Sequence, residues 1–326
     1  MNTASSDGRL VASISLDLDN LWSYLKTYGD ATWSSYPTFI PVVVPRLLEL
    51  FDTFALTGTV FVVGQDTELD ENVDALATIT AAGHEVGNHS FHHEPWLHTY
   101  SRERIVEELE RAEVGIARVT GTRPRGFRGP GYSLSPALLE VLAERGYSYD
   151  ATTLPTWIGP LARAYYFRSA NLSESEREIR SRLFGKARDG LRPVHAYRWK
   201  LDHQELLELP VTTMPLLRVP MHFSYVLYLH QASPAIARAY FRNALRICSL
   251  RGIGPSLLLH PLDLIDKSDT KQAAFFPGMA LPAAEKRRVI DSCLREMTSR
   301  FDVRSSGAMA ASMASTPLRL RQPDHD

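Results

Sequence analysis

The chain has 326 residues, 44% of them hydrophobic and 22% charged, which is typical of a globular protein with one large domain or two ordinary ones. Its 36 basic and 37 acidic residues give a formal net charge of −1, so bulk charge indicates no particular partner, and we expect no nucleic acid. The start lacks the pattern of a secretory signal and no apolar stretch is long enough to span a bilayer; we therefore expect a cytoplasmic protein.

Short apolar runs alternate with longer helical patterns along most of the chain. Apolar or alternating runs predict strands at 11–19, 57–64, 84–90, 147–152, 206–212 and 255–261. Helical periodicity predicts helices at 37–54, 70–83, 101–121, 135–146, 234–252 and 282–301. This alternation predicts parallel strands in an α/β barrel or a doubly wound sheet, within a single domain over residues 11–304.

Two segments interrupt this alternation. Residues 155–206 show no clean strand, and residues 155–200 carry ten Lys or Arg against four Asp or Glu. We interpret the segment as an insertion, either a solvated helical excursion or a basic, aromatic lid that touches an anionic sugar carrier or a membrane surface. Residues 305–326 are small and polar and predict a disordered tail, and residues 1–10 form a short N-terminal extension.

Polar side chains stand where the predicted strands end. They are Asp17, Asp19, His89, Arg128, Asp150 and His260. In α/β folds with parallel strands, active sites form at the edge where the strands end. We therefore treat these side chains as candidates for one site.

Asp17 and Asp19 of SISLDLDN lie one residue apart, so a strand directs both side chains to the same face. Two adjacent carboxylates repel each other and require a metal ion, a cationic neighbour or a shared proton. At least three enzyme classes place such a pair at the end of a first strand: aspartate-nucleophile phosphatases, metal-dependent glycosyltransferases and metal-dependent amide hydrolases. The motif alone leaves all three open.

The stretch GHEVGNHSFHHEPW supplies further candidate ligands. His89 and His93 lie four residues apart, which places both imidazoles on one face if the chain turns helically after His89. With a carboxylate from another strand end, two histidines complete a three-ligand set that leaves a position for water. The combination favours a metal site much more strongly than either motif alone.

Four motifs in chain order, SLDLDN, HSFHH, FRGPGY and LLLHP, resemble those of the polysaccharide deacetylase family, the NodB-homology carbohydrate esterases. The resemblance covers roughly Val11 to Arg300. It implies a distorted (β/α) barrel of about seven parallel strands. It also implies a metal-dependent hydrolase that removes N-acyl groups, usually acetyl, from amino sugars.

The resemblance implies a role for each motif residue. The roles are general base for Asp17, metal ligand for Asp19, His89 and His93, partner of the base for Arg128, and general acid for His260. The implied cofactor is a divalent metal ion, for which we expect zinc, since zinc lowers the pKa of bound water towards neutrality.

Further roles rest on a looser match for Asp150 and on the residues themselves for the others. The backbone N–H of Tyr132 would stabilise the oxyanion, and Asp150 would orient the acid histidine. Tyr132, Trp96 and Trp157 could stack on a sugar ring. The motif departs from the family pattern in its separated aspartates and in the glycines of RGPGY, which puts the oxyanion donor in question.

The expected substrate is an N-acylated amino sugar, free or linked to a nucleotide or polyprenyl carrier. A phosphatase remains an alternative, although it leaves the two histidines and Arg128 without a role. A glycosyltransferase would place its DxD motif later in the chain. A non-catalytic protein that binds a carbohydrate or lipid carrier on the same scaffold is the remaining alternative, and a missing base or acid would indicate it.

Overall fold

The computed structural model of the protein describes residues 8–159, 187–274, 276 and 278–323. Ten strands in this part of the chain pair in one sheet. They are β1 (Leu10–Leu18), β2 (Thr59–Val62), β3 (Glu85–Asn88), β4 (Gly126–Phe127), β5 (Tyr149–Asp150), β6 (Tyr197–Lys200), β7 (Glu205–Glu208), β8 (Ser256–Leu259), β9 (Phe301–Arg304) and β10 (Leu320–Arg321).

The sheet is largely parallel. Its order is β10-β6-β7-β5-β4-β3-β2-β1-β8, and β9 also pairs with β1. The pairing of β6 with β7 is antiparallel, and the other pairings within these strands are parallel. The N–H of Thr212, beyond the end of β7, donates to the carbonyl of Ser256 at the start of β8 at 2.9 Å. This contact is consistent with the predicted distorted (β/α) barrel.

Helices follow most of the strands. They are α1 (Leu21–Tyr28), α2 (Ile40–Thr53), α3 (Asp70–Ala81), α4 (Arg102–Thr120), α5 (Pro136–Glu144), α6 (Phe223–Ala232), α7 (Pro234–Leu250), α8 (Ala283–Thr298) and α9 (Ser306–Ser312). The Ser101 hydroxyl caps the start of α4, and Gly121 in the left-handed conformation ends it. Within the described ranges, no helix is both long enough and apolar enough to cross a membrane.

The largest hydrophobic core lies between the central strands and the helices α2, α3, α7 and α8. In β1 every residue after Leu10 is buried, polar ones included. A strand buried on both faces is expected where helices cover a parallel sheet. The side chains at the carboxyl ends of these strands are therefore attached to a rigid, buried part of the sheet.

The predicted alternation of strands and helices is confirmed, since each predicted element overlaps an observed one. Helices α1, α6 and α9 and strands β4, β6, β9 and β10 were not predicted. α1 is only eight residues long and directly follows the DLDN motif. α6, with the sequence FSYVLYLHQA, is apolar and aromatic on most sides, so it shows little helical periodicity.

The segment 155–206 contains a strand, which corrects the prediction that it has none. β6 has the sequence YRWK, and Tyr197 and Trp199 are buried while Lys200 is exposed, the alternation of a strand with one face on the core. Four residues are too few for this alternation to stand out in a basic, aromatic stretch. Residues 160–186 of the predicted insertion lie outside the described part of the chain.

The predicted disordered tail over residues 305–326 is wrong for most of its length, since α9 and β10 lie within it. Met309 of α9 and Met313, which directly follows this helix, are buried in a cluster with Phe61 of β2. A Cβ at Gly307 would lie 2.3 Å from Glu85 Oε1, so α9 approaches the start of β3 very closely. The small side chains that suggested disorder are those that this close packing requires.

Candidate active site

A cavity of about 250 Å³ lies where β1, β3, β4 and β8 end. Of the predicted site residues, it is lined by Asp17, Asp19, His89, His93, Tyr132 and His260. The side chains come from strand-end loops far apart in sequence. Six of the predicted site residues therefore lie around one cavity, as expected for side chains at neighbouring strand ends.

Asp19, His89 and His93 form the candidate metal site. Their ligand atoms all lie within 4.8 Å of one another. The Asp19 Oδ1 atom lies 3.1 Å from His89 Nε2 and 2.9 Å from His93 Nε2. Burial raises the pKa of Asp19, but the two imidazoles lower it by more, and the result is a pKa well below the usual range. Asp19 is thus a carboxylate, the form that binds a metal ion.

His89 has the surroundings that orient a metal-binding imidazole. Its Nδ1 atom lies 2.6 Å from the Arg128 carbonyl, which can only accept, so Nδ1 carries a hydrogen and Nε2 is the nitrogen that faces Asp19. Burial lowers the pKa of His89, whereas the carboxylates of Asp17 and Asp19 raise it by more, and the net shift is upward. Nδ1 of His93 is buried and has no hydrogen-bond partner among the described residues. One carboxylate and two such imidazoles fit zinc or a similar divalent ion.

The turn that joins the two histidines is not helical, so the imidazoles come together without the helical turn that the sequence argument made its condition. Ser90 has a φ of 61° and His93 a φ of 50°, both left-handed. The Ser90 N–H donates to the Asn88 side chain at 2.8 Å. Two further N–H groups of the turn donate to the Glu108 carboxylate at 3.1 and 3.0 Å. A carboxylate of α4, distant in sequence, therefore shapes the turn that brings His93 back to His89.

Asp17 and Arg128 form the predicted pair. The Arg128 Nη1 donates to Asp17 Oδ1 at 2.7 Å and to the Ser15 hydroxyl at 2.8 Å, and its Nε donates to the Ala151 carbonyl at 2.9 Å. The guanidinium also lies over the Phe61 ring, 4.4 Å from its centroid, and is fully buried. Arg128 is therefore rigid behind the cavity and fixes the direction of the Asp17 carboxylate.

The Gly129–Tyr132 turn differs from the prediction in one respect. The Tyr132 N–H donates to the Gly129 carbonyl at 3.0 Å, so the predicted oxyanion donor is already engaged within the turn. Gly131 and Tyr132 both have positive φ, of 58° and 61°. The Tyr132 side chain lines the cavity, and burial raises the pKa of its phenol. Its hydroxyl therefore stays protonated.

His260 is held by two residues that the sequence interpretation missed. Its Nδ1 lies 3.0 Å from the Ser224 hydroxyl, and that hydroxyl donates to Asp263 Oδ2 at 3.0 Å. The same carboxylate accepts the His260 N–H at 2.8 Å. The His222 ring lies 5.8 Å from that of His260, and burial followed by the charge of His260 lowers the pKa of His222 to about 3. His222 is thus neutral beside the candidate acid.

Asp150 does not have the predicted role. It pairs in register with Glu208 across β5 and β7, and both are fully buried. Burial, followed by the charge of Glu208, raises the pKa of Asp150 well above its usual value. The Thr152 hydroxyl donates to Asp150 and accepts the Gly129 N–H at 2.9 Å. Asp150 therefore supports the Gly129–Tyr132 turn, while Asp263 is the carboxylate linked to His260.

The aromatic wall of the cavity also differs from the prediction. Trp96 and Trp157 are not among the described residues that line it, whereas Tyr24, Tyr28 and Phe276 are. The Phe276 ring lies 5.0 Å from the ring of Tyr24 and 4.6 Å from that of Tyr28. A signal for the tyrosines was present, since they lie four residues apart in the segment after DLDN that Asn20 and Gly29 delimit.

Asp66 anchors the chain just after Asp19. Its Oδ1 accepts from the Asn20 side chain at 2.7 Å and from the Trp22 indole at 2.8 Å. Burial raises the pKa of Asp66 to about 7, and its Oδ2 is buried without a hydrogen-bond partner in the part of the chain that the structure describes. A neutral or half-ionised carboxyl group thus holds the start of α1 against β2.

Comparison with known proteins adds a family match. A family model described as polysaccharide deacetylase matches residues 27–149, which include both candidate histidine ligands but neither Asp17 nor Asp19. The peptidoglycan deacetylase of Helicobacter pylori is 28% identical over 192 residues, 57% of this chain and 60% of that protein. The chitin deacetylase of Colletotrichum lindemuthianum is 30% identical over 115 residues, 34% of this chain and 46% of that protein. The matches span less than two thirds of either relative.

A solved structure shows the same fold. The crystal structure of a Mycobacterium smegmatis protein assigned to the polysaccharide deacetylases superposes with a TM-score of 0.63. The alignment covers 100% of this chain and 99% of that chain at 20% sequence identity. The likeness therefore extends over the whole chain, including the strands before residue 27 and after residue 149.

Proposed function

Because the chain belongs to the polysaccharide deacetylase family, we propose that it is a metal-dependent hydrolase that removes an N-acyl group, namely acetyl, from an amino sugar. The observation that carries the proposal is the convergence of Asp19, His89 and His93 beside Asp17 in one cavity. The phosphatase alternative gives the two histidines no role. A non-catalytic binding protein would lack a base or an acid, whereas Asp17 and His260 both line the cavity.

Asp17 is the proposed general base. Asp19, His89 and His93 would hold the ion, which when bound supplies Lewis acidity toward water and the amide carbonyl. Asp17 lines the same cavity without belonging to the ligand group, so its carboxylate can accept the proton of the attacking water. Arg128 orients this carboxylate through the contact at 2.7 Å.

His260 is the proposed general acid, and Ser224 and Asp263 are its positioning residues. A hydrogen on His260 Nδ1 is directed to the Ser224 hydroxyl, whose own hydrogen is directed to Asp263. Nε2 is then the nitrogen that protonates the departing amine. The Asp263 carboxyl group at the end of this chain fixes the Ser224 hydroxyl and, through it, the direction of the imidazole ring.

The cavity favours a compact substrate group. Its volume of about 250 Å³ and its wall of Tyr24, Tyr28 and Phe276 suit an acyl group together with one sugar ring. The names of the relatives, a peptidoglycan deacetylase and a chitin deacetylase, support an N-acetylated amino sugar. We propose that the sugar is presented singly or at a chain end, free or joined to a nucleotide or polyprenyl carrier.

Acetate release tests the function directly. Zinc-loaded protein is incubated with N-acetylglucosamine oligomers, peptidoglycan fragments, and nucleotide- and polyprenyl-linked N-acetyl sugars. We expect release from at least one of them, and a loss of roughly 100-fold or more in Asp17→Asn with the metal retained. Asp52→Asn, an exposed carboxylate on α2, is the matched control and should behave as wild type. Unchanged release by Asp17→Asn would contradict the assignment of the base.

A further inference from the structure

Lys286 of α8 is a buried cation to which the proposed mechanism assigns no task. Its side chain is only 1% exposed, and lysines are almost never fully buried unless they have a partner. Of the lysines and arginines in the described part of the chain, only Arg128 and Lys286 are buried. Arg128 contacts the proposed general base, and the contacts of Lys286 lead to the proposed general acid.

The Lys286 ammonium group binds the turn that follows His260. Its Nζ donates to the carbonyl of Leu262 at 2.7 Å and to the carbonyl of Ile265 at 2.6 Å. These two carbonyls lie on either side of Asp263 in the chain, and the Asp263 carboxyl group accepts the His260 N–H at 2.8 Å. Hydrogen bonds from a charged donor are stronger than those between neutral groups. Lys286 therefore fixes the backbone that carries Asp263.

The charges of Lys286 and Asp263 also act on each other. Burial raises the pKa of Asp263, whereas the charge of His260 and, more weakly, that of Lys286 lower it. Burial lowers the pKa of Lys286, whereas the charges of Asp263, Asp266 and Asp269 raise it, that of Asp263 the most. Each of the two buried groups thus favours the charged form of the other.

A continuous series of contacts runs from α8 to the cavity. The turn held by Lys286 carries Asp263, whose Oδ2 accepts the hydrogen of the Ser224 hydroxyl at 3.0 Å. That hydroxyl lies 3.0 Å from Nδ1 of His260, which lines the cavity. No described residue of α8 lines the cavity, so Lys286 acts on the site only through this series.

We propose that Lys286 is a positioning residue for the general acid. It fixes the turn after His260 so that Asp263 and Ser224 hold the imidazole in the direction of the departing amine. The inference rests on the proposed function, in which His260 protonates that amine. Arg128 behind the base and Lys286 behind the acid then have corresponding tasks, each a buried cation that orients one of the two groups that transfer protons.

Kinetics of acetate release in Lys286→Met and Lys286→Gln test the proposal. Methionine has a similar length but neither charge nor donor, whereas glutamine keeps an amide that can donate. We expect Lys286→Met to lower kcat by about 5- to 30-fold, as expected for Ser224→Ala, with KM unchanged within about twofold. Lys286→Gln should lose less. Arg288→Met, at an exposed position of the same helix, is the matched control and should keep the kcat of wild type.

A double-variant cycle separates positioning from a general loss of packing. If Lys286 acts through Ser224, then Lys286→Met combined with Ser224→Ala should lower kcat by no more than about twofold beyond the larger single effect. Effects that multiply would show that the two side chains act independently, and this result would overturn the proposal.

A measurement without catalysis distinguishes the failure of this inference from the failure of the proposed function. In zinc-loaded protein labelled with ¹⁵N-histidine, we expect Lys286→Met to move the imidazole nitrogen signals of His260 in the same direction as Ser224→Ala. The signals of His89 and His93 should stay in place. Unchanged His260 signals would overturn the inference even in a protein that releases acetate. Shifted signals in a protein that releases none would support the inference and contradict only the proposed function.

Two further results would overturn the positioning role. One is a higher KM with unchanged kcat, which would show that Lys286 supports the cavity wall at Phe276 through Met279, whose sulfur lies 3.9 Å from Nζ. The other is that circular dichroism finds both Lys286 variants unfolded and Arg288→Met folded, which would assign Lys286 to the stability of the whole fold.

Discussion

Asp19 is the side chain on which we expect metal binding to depend most. Asp19→Ala removes the carboxylate that lies 3.1 and 2.9 Å from the two imidazoles and leaves a pair of histidines. A ligand at 100 times its dissociation constant stabilises the folded state by about 2.7 kcal/mol. For a chain of this length each kcal/mol raises Tm by roughly 2 °C. Saturating zinc should therefore raise the Tm of the wild type by about 5 °C and that of the variant much less.

The assay combines elemental mass spectrometry with thermal unfolding. Protein stripped with a chelator is dialysed, reloaded with zinc and measured for metal content and Tm. Asp17→Asn should keep both the metal and the shift, because Asp17 is not among the grouped ligands. Asp52→Asn controls for the loss of a carboxylate at the surface. Equal zinc content and equal shifts in Asp19→Ala and wild type would refute the assignment of the ligands.

Three further outcomes are expected. Ser224→Ala breaks the link between His260 and Asp263 and should lower kcat by about 5- to 30-fold with little change in KM, the equivalent of about 1–2 kcal/mol; a changed Tm with unchanged kcat would contradict the role. Burial raises the pKa of Asp66 to about 7. The protonated carboxyl group therefore contributes fully to the free energy of unfolding below the ordinary pKa of an aspartate, and this contribution is lost as the pH rises through 7. In urea unfolding, Asp66→Asn should be more stable than wild type at pH 8 by on the order of 3 kcal/mol, and the two should be equally stable at pH 4. Gly307→Ala should lower the free energy of unfolding by about 1–3 kcal/mol because its Cβ would overlap Glu85, and an unchanged Tm would show that this carboxylate gives way freely.

Several parts of the site could be predicted from the sequence because they depend on local regularities. The alternation of β1 directs Asp17 and Asp19 to one face, and parallel strands bring their carboxyl ends together. The structure places His89 and His260 in the same cavity as the aspartates. To predict these residues, only the positions of the strands and the order of the motifs were required, and both can be read directly from the sequence.

Other parts depend on contacts between distant segments and leave no local pattern. The turn after His89 is shaped by Glu108, 19 residues away, and not by helical periodicity. The partner of His260 was expected at Asp150, but Asp263 and Ser224 take that position, and their spacing carries no pattern before the fold is known. Motif order alone cannot say which of several buried carboxylates faces a given imidazole.

Phe61 of β2 lies between Arg128, behind the cavity, and the methionines at the C-terminal end of the described chain. The Arg128 guanidinium lies over this ring, 4.4 Å from its centroid. Phe61 also packs in one hydrophobic cluster with Met309 of α9 and with Met313, the residue after that helix. Asp17, the proposed general base, is therefore supported by Arg128, by Phe61 beneath it, and by the methionines that pack in one cluster with Phe61. The sequence suggests a dispensable tail after Arg304. A fusion, tag or truncation placed there would remove the packing of the methionines on Phe61 and so disturb the position of Arg128 and Asp17 in the candidate active site.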